Sequence, residues 1–162
     1  MKALPMWKIL RPIILPASSL LVSRLKTCGC NIGQCGYGIL WNKTFNAIHM
    51  RQEASLVMLS LADIGFSRRT AISYIYERVE ALGLILCQPA IGPQLRLQYL
   101  DQPRGECLYI GMQRIYNTDG DHILFSVSAD NSGKLWLDGT DGDLGSNLWS
   151  PSSRWVFVQA RQ

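Results

Sequence analysis

The sequence predicts an α+β chain in which a helical unit closed by a β-hairpin precedes a small antiparallel β unit. Three observations predict it. Apolar residues recur at three- and four-residue spacing between Gln52 and Leu82. Pro89-Ala90-Ile91-Gly92-Pro93 then punctuates the chain as a turn. From Cys107 onward the helical period gives way to short alternating runs separated by Asp, Asn, Gly and Ser. The 162 residues are 48% hydrophobic and 17% charged, a globular composition.

Each helix has its own signal. Ala54, Val57, Met58, Leu61 and Ile64 place a first amphipathic helix over 52–64, ended by Gly65. Ser67 stands at the N-cap position of a second helix, Arg68 to Leu82, whose Ala71, Ile75, Val79 and Leu82 fall within about 80° and form a buried stripe. Gly83 stops it. Leu84 to Gln88 and Gln94 to Leu100 read as the two strands of a hairpin, with Leu95, Leu97 and Tyr99 alternating against Arg96 and Gln98. Further strands are expected at Leu108 to Tyr116, His122 to Ala129, Lys134 to Asp138 and Arg154 to Ala160, with Asp130-Asn131-Ser132-Gly133 as a hairpin loop.

Charge divides the chain. Residues 1–50 carry six Lys or Arg and no acid, residues 51–104 six against five, and residues 105–162 four against seven. With the periodicity this suggests a basic, acid-free extension (1–39), the helix-and-hairpin domain (40–101) and the β unit (106–162). Lys2, Lys8 and Arg11 precede an apolar run from Pro12 to Val22, as in a signal peptide. Pro12 and Pro16 interrupt that run, and Arg24 and Lys26 return before the ~20 apolar residues that a membrane span needs. No membrane partner is expected; the stretch also fits a transit peptide or a basic arm. Five unevenly spaced cysteines suit a reducing, cytoplasmic setting better than a disulfide scaffold. Cys28, Cys30 and Cys35, with His49 as a fourth ligand, lack the paired knuckles of structural zinc, so no metal is expected.

Ser67-Arg68-Arg69-Thr70 at the opening of the second helix, and Val79-Glu80-Ala81-Leu82-Gly83-Leu84-Ile85 at its close, resemble the winged helix-turn-helix DNA-binding regulators. The resemblance spans about residues 52–100. It implies sequence-specific binding of duplex DNA in transcription regulation or in a phage- or plasmid-type regulator. The second helix would enter the major groove, Arg69 donating to guanine with Ser73 and Tyr76 beside it, while Ser67 caps the helix. Arg68 and Thr70 would hold phosphates, and Arg96 would do so from the hairpin wing. The chain departs from the family in offering one helix between Glu53 and Gly65. Either residues 39–52 form the missing first helix or the second has been shortened away. The small net charge of residues 51–104 is a further departure, unless the basic extension lies alongside.

The β unit carries the alternative reading. Ser126 to Gly139 resembles the strand-turn-strand of a β-propeller blade and a hairpin of PA14-type carbohydrate-associated modules, though one blade cannot close a ring. Trp136, Trp149 and Trp155 are candidates for stacking on sugars or for a sheet core. Asp138, Asp141 and Asp143 imitate a calcium loop, but Trp149 occupies the place of its final carboxylate. An acidic unit repels DNA, so it is expected to mediate protein contact, homodimerisation through residues 106–162 or ligand sensing, with an unpaired sheet edge or the Trp136 face left for a partner. The alternative function is a non-enzymatic β-rich interaction or carbohydrate-binding protein whose helices are structural. Gly-x-Ser-x-Gly, Gly-Lys-Ser/Thr and His-Glu-x-x-His are absent, and Trp41 stands where a dinucleotide fingerprint starting at Gly36 needs its third glycine. No enzymatic activity and no cofactor are expected.

Overall fold

The last strand of the chain lies in the middle of a sheet to which both ends of the sequence contribute. The computed structural model describes residues 4–46, 50–142 and 148–161. Along the chain run β1 (Lys8–Leu10), α1 (Ser18–Thr27), β2 (Asn31–Ile32), α2 (Gln34–Leu40), α3 (Lys43–Asn46), β3 (Ala54–Ser60) and α4 (Ile72–Ala81). There follow β4 (Leu84–Ile85), α5 (Ile91–Gln98), β5 (Cys107–Ile110), β6 (Ile115–Tyr116), β7 (His122–Ala129), β8 (Leu135–Asp141) and β9 (Arg154–Gln159). The strands form one mixed sheet in the order β1-β3-β9-β5-β7-β8-β2, with β4 beside β9 and β6 beside β7. The β5–β9 and β2–β8 pairs are parallel and the others antiparallel.

Register assigns the two faces, because directly paired residues project to the same side. Tyr109 pairs with Trp155 and Ser126, and Trp155 pairs with Leu59. Phe157, two residues on, shares that face and stacks on Trp155 with rings 6.2 Å apart. Helix α4 covers it, Tyr76 meeting Phe157 edge-on. The opposite face carries Leu108, Val127, Val156 and Val158, along with Phe125, which lies two residues from Val127. There α3 sets Phe45 edge-on to Phe125 at 5.7 Å, and Gly92 of α5 sits so close that an added Cβ would lie 2.6 Å from the Phe125 ring.

This architecture overturns the expected winged helix followed by a small β unit: strands from both regions share one sheet, and the α-helices among the described residues are five short covers. Residues expected as the first helix form strand β3 and a 3-10 turn at Ala62–Ile64. The strand is sandwiched between β1 and β9, and neighbouring Leu56 and Val57 are both buried; such a strand reads as a continuous apolar run, which mimics helical spacing. The expected wing is also absent. Residues 91–98 form α5, buried from Ile91 to Leu97, so the alternation about Arg96 does not separate an inside from an outside. Pro93 is accommodated because it falls in the first helical turn.

The second helix exists but starts later. Its N-cap is Ala71, with no side-chain cap, and Thr70 instead bridges to Trp149, holding the preceding chain away from the helix. Ser67 is therefore not the cap. The stripe at Ile75 and Val79 is buried as the spacing predicts, but it widens to Ile72 and Tyr76. In the C-terminal part β7 coincides with the expected strand, and the Asp130–Gly133 turn is closed by Gly133 N–H bonding to Asp130 C=O with Gly133 at φ +86°. The long strand expected at 108–116 is broken into β5 and β6 at Gly111, where the chain turns to bond with Cys87. Among the described residues no helix is long and apolar enough to cross a membrane.

Candidate binding groove

Five of the residues expected to contact DNA remain near the surface. Ser67, Arg68, Arg69 and Ser73 are exposed and Thr70 is half-buried. Arg69 Nη1 donates to Leu148 C=O at 3.2 Å. The other two are withdrawn. Tyr76 is 5% exposed, its hydroxyl donating to Met112 C=O at 2.8 Å. Arg96 is wholly buried, donating to Gln102 Oε1, Ser128 C=O, Trp136 C=O and Tyr99 C=O, so it has no path to a phosphate. The exposed face of α4 that remains also carries Glu77 and Glu80, which oppose a polyanion.

Two of the three candidate tryptophans of the β unit are core residues. Trp149 and Trp155 are buried and pack edge-on with centroids 4.8 Å apart, Tyr109 lying against both. Trp136 is half-buried, its Nε1 donating to Asp130 Oδ2 at 3.1 Å. The path of strands ends at β1 and β2, both from the first forty residues; from 106–162, β6 pairs only with β7, and β8 is covered by β2 only at Trp136 and Leu137. His49 and Asp143 lie outside the described residues. Among those described, no group of three or more His, Cys, Asp or Glu is placed to hold a metal.

A concavity lies elsewhere, on the face bearing Val158. There β3, β9 and β4 run side by side, and Leu56, Val158 and Ile85 form a cross-strand row. Helix α5 and the chain at 50–53 leave the end of this row uncovered, and Ile85 is 49% exposed. A compartment of about 700 Å³ opens here, floored by Met50, Ile85, Ile91 and Val158. A second, of about 420 Å³, opens between the chain at 13–16, Leu21 of α1, and Ala90 and Gln94 of α5. Met50 and Arg51 line both, so they form the wall between the two. Each volume falls in the range of small-molecule sites, roughly 300–1,000 Å³.

Several polar side chains line the first compartment, and those with printed partners hold the surrounding chain. Gln94 spends both ends of its amide on Ile13, accepting from its N–H at 3.0 Å and donating to its C=O at 2.6 Å. Glu53 accepts from Arg11 Nε at 3.3 Å, and its own C=O receives Arg161 Nη2 at 3.0 Å. The first amides of α5 are bonded within their own turn, Ile91 N–H to Gln88 C=O and Gly92 N–H to Pro89 C=O. Arg51 is exposed and has no ion-pair partner among the described residues. Arg161, at the far end of the first compartment, likewise lacks an acidic partner among the described residues, but only Arg51 reaches the second compartment, whose lining has no acid.

Four separated stretches build this groove, around 13–16, 50–55, 85–94 and 158–161. No spacing in the sequence marks them, since they are far apart along the chain and converge only in the folded protein. Comparison of the chain with family models, with curated proteins and with solved structures returned no match, so the groove is read from its own chemistry.

Proposed function

We propose that the chain is a non-catalytic binding protein whose groove takes a small amphipathic anion. The apolar body lies against Met50, Ile85, Ile91 and Val158, and the anionic group meets Arg51. The observation that supports this is the placement of an arginine without an ion-pair partner in the wall shared by two compartments that each hold an apolar floor. Each buried methylene contributes about 0.8 kcal/mol, so a medium-length chain supplies most of the affinity and the arginine supplies orientation. Titration with anilinonaphthalene sulfonate tests the reading. Its fluorescence should rise saturably, octanoate should displace it and octylamine should not, and Arg51→Gln should weaken binding roughly tenfold. Absence of saturable binding, or equal displacement by acid and amine, would sink the proposal.

A second reading keeps duplex DNA as a partner of the surface at Ser67, Arg68, Arg69 and Ser73, which are exposed together next to Tyr74, itself 63% exposed. Here the contacts would be to phosphates, with affinity falling steeply as salt rises. Fluorescence anisotropy at two salt concentrations reads this; a double Arg68→Ala, Arg69→Ala variant that binds as the parent does would remove it. Homodimerisation through residues 106–162 belongs with this reading, and sedimentation of the full chain at tens of micromolar tests it.

A further inference from the structure

A different cleft, of about 490 Å³, opens where the parallel strands β5 and β9 begin. Two chain segments line it: Arg104 to Tyr109 leading into and along β5, and Ser150 to Arg154 leading into β9. Among the described residues no aliphatic side chain lines it. Two exposed guanidiniums, Arg104 and Arg154, face it, and neither has an acidic partner among the described residues. The Arg104 side chain passes over the turn at Gly133, where an added Cβ would stand 3.2 Å from its Nε.

The lone carboxylate in the lining is turned to other work. Glu106 Oε1 accepts from Gln102 Nε2 at 3.2 Å, at the edge of the buried network around Arg96. The hydroxyls supply further donors. Ser150 Oγ and Ser152 Oγ lie 3.0 Å apart, and whichever donates to the other, one proton of the pair remains for an outside acceptor. Ser153 is spent, donating to Ser150 C=O and accepting from Trp155 Nε1, so it fixes the turn rather than a ligand. Burial beside Cys107 pushes the Tyr109 hydroxyl up to about 12, which keeps it a proton donor throughout the physiological range.

We infer that this cleft binds the phosphate group of a small phosphorylated molecule, with Arg104 and Arg154 as its two charged clamps and the Ser150–Ser152 pair as a neutral donor. Paired guanidiniums present planar forks that match the oxygens of a tetrahedral dianion, which a single ammonium does not. The cleft holds many times the roughly 30 Å³ of one water, so space remains for an organic body beyond the phosphate. This site shares no residue with the groove, and its test does not depend on the groove's occupant.

Phosphorus NMR and calorimetry on the full chain at constant ionic strength, using glycerol phosphate, glycerol and inorganic phosphate, test the inference. Glycerol phosphate should bind saturably and more tightly than inorganic phosphate, and glycerol should not bind. Arg104→Gln and Arg154→Gln should each weaken glycerol phosphate roughly tenfold, and Arg154→Lys should recover only part of the loss. Both arginines are exposed, so the variants should melt as the parent does. An unchanged affinity in the double Gln variant, or equal binding of glycerol and glycerol phosphate, overturns the inference. Inorganic phosphate binding as tightly as the ester overturns the assignment to an organic phosphate and leaves a site for the free anion.

Discussion

Gln94 and Ile13 are bonded twice, side-chain amide to main-chain peptide, at 3.0 and 2.6 Å. One turn later Gln98 repeats the arrangement on Arg11, accepting its N–H at 3.3 Å and donating to its C=O at 2.7 Å. Two glutamines on α5 thus act as a strand partner for the chain that follows β1. Gln94→Leu leaves both peptide groups of Ile13 unpaired and should cost about 1–3 kcal/mol. Gln94→Glu should cost more, since a carboxylate then faces a carbonyl. Denaturant titration gives the energies, and amide exchange at Ile13 should accelerate in both variants; unchanged exchange would contradict the clamp.

Arg96 is the largest charged side chain in the core and is held by neutral oxygens rather than by a direct ion pair. Burial lowers its pKa, opposed by the nearby Cys30 thiol and Tyr99. Arg96→Met should destabilise the fold by about 3 kcal/mol or more, because several carbonyls lose their donor at about 1–3 kcal/mol each. Arg96→Lys should recover little, having one nitrogen where the fork used two. A loss under about 1 kcal/mol in urea titration would show that water replaces the guanidinium.

Asp130 organises the β7–β8 turn. Its Oδ1 accepts from Ser132 Oγ, Ser132 N–H and Lys134 N–H, and its Oδ2 from Trp136 Nε1. These bonds, the Ser132 hydroxyl foremost, hold the carboxyl down at about 2. A depressed folded pKa contributes stability that is present above the unfolded value and lost as pH falls through the folded one, here from about pH 4 to about pH 2. Asp130→Asn should flatten stability against pH across that window. Chemical shifts of the Trp136 indole proton check it, and an indole that titrates identically in both proteins would refute the assignment.

Gly111 meets Phe157 so closely that a Cβ would stand 2.0 Å from the ring. Gly111→Ala should cost about 1–3 kcal/mol through overpacking. Phe157→Leu is destabilising alone, yet combined with Gly111→Ala it should cost less. A double-mutant cycle that shows simple additivity would mean the ring moves aside freely.

The parts of the fold legible in the sequence are those where one physical signal acts alone. Strand β7 shows the Phe125-Ser126-Val127-Ser128 alternation although both its faces are covered, and the 130–133 turn carries its own hydrogen-bond donors and its left-handed glycine, so both announce themselves locally. Strand β3 does not, because Leu56, Val57, Met58 and Leu59 place apolar residues on both faces and leave spacings that also fit a helix. Helix α5 is hidden by Gly92 and Pro93, which read as a turn; only the Phe125 ring beneath Gly92 explains why a glycine stands there. Of the proposed sites, Arg51 and Arg154 carry no local mark at all. Arg96 is conspicuous for its position in an alternating run, but its role lies in the core and not at a surface.

Strand β9 sits between β3 and β5, although nearly a hundred residues separate it from the first of these. During synthesis, therefore, β3 and β5 emerge from the ribosome with the partner that joins them still untranslated. Their apolar edges wait in the open, a situation that favours chaperone capture or edge-to-edge association of neighbouring nascent chains. A premature stop before Arg154 would make that waiting state permanent, so truncated products should be removed by proteolysis or accumulate as aggregates rather than persist as a smaller folded protein.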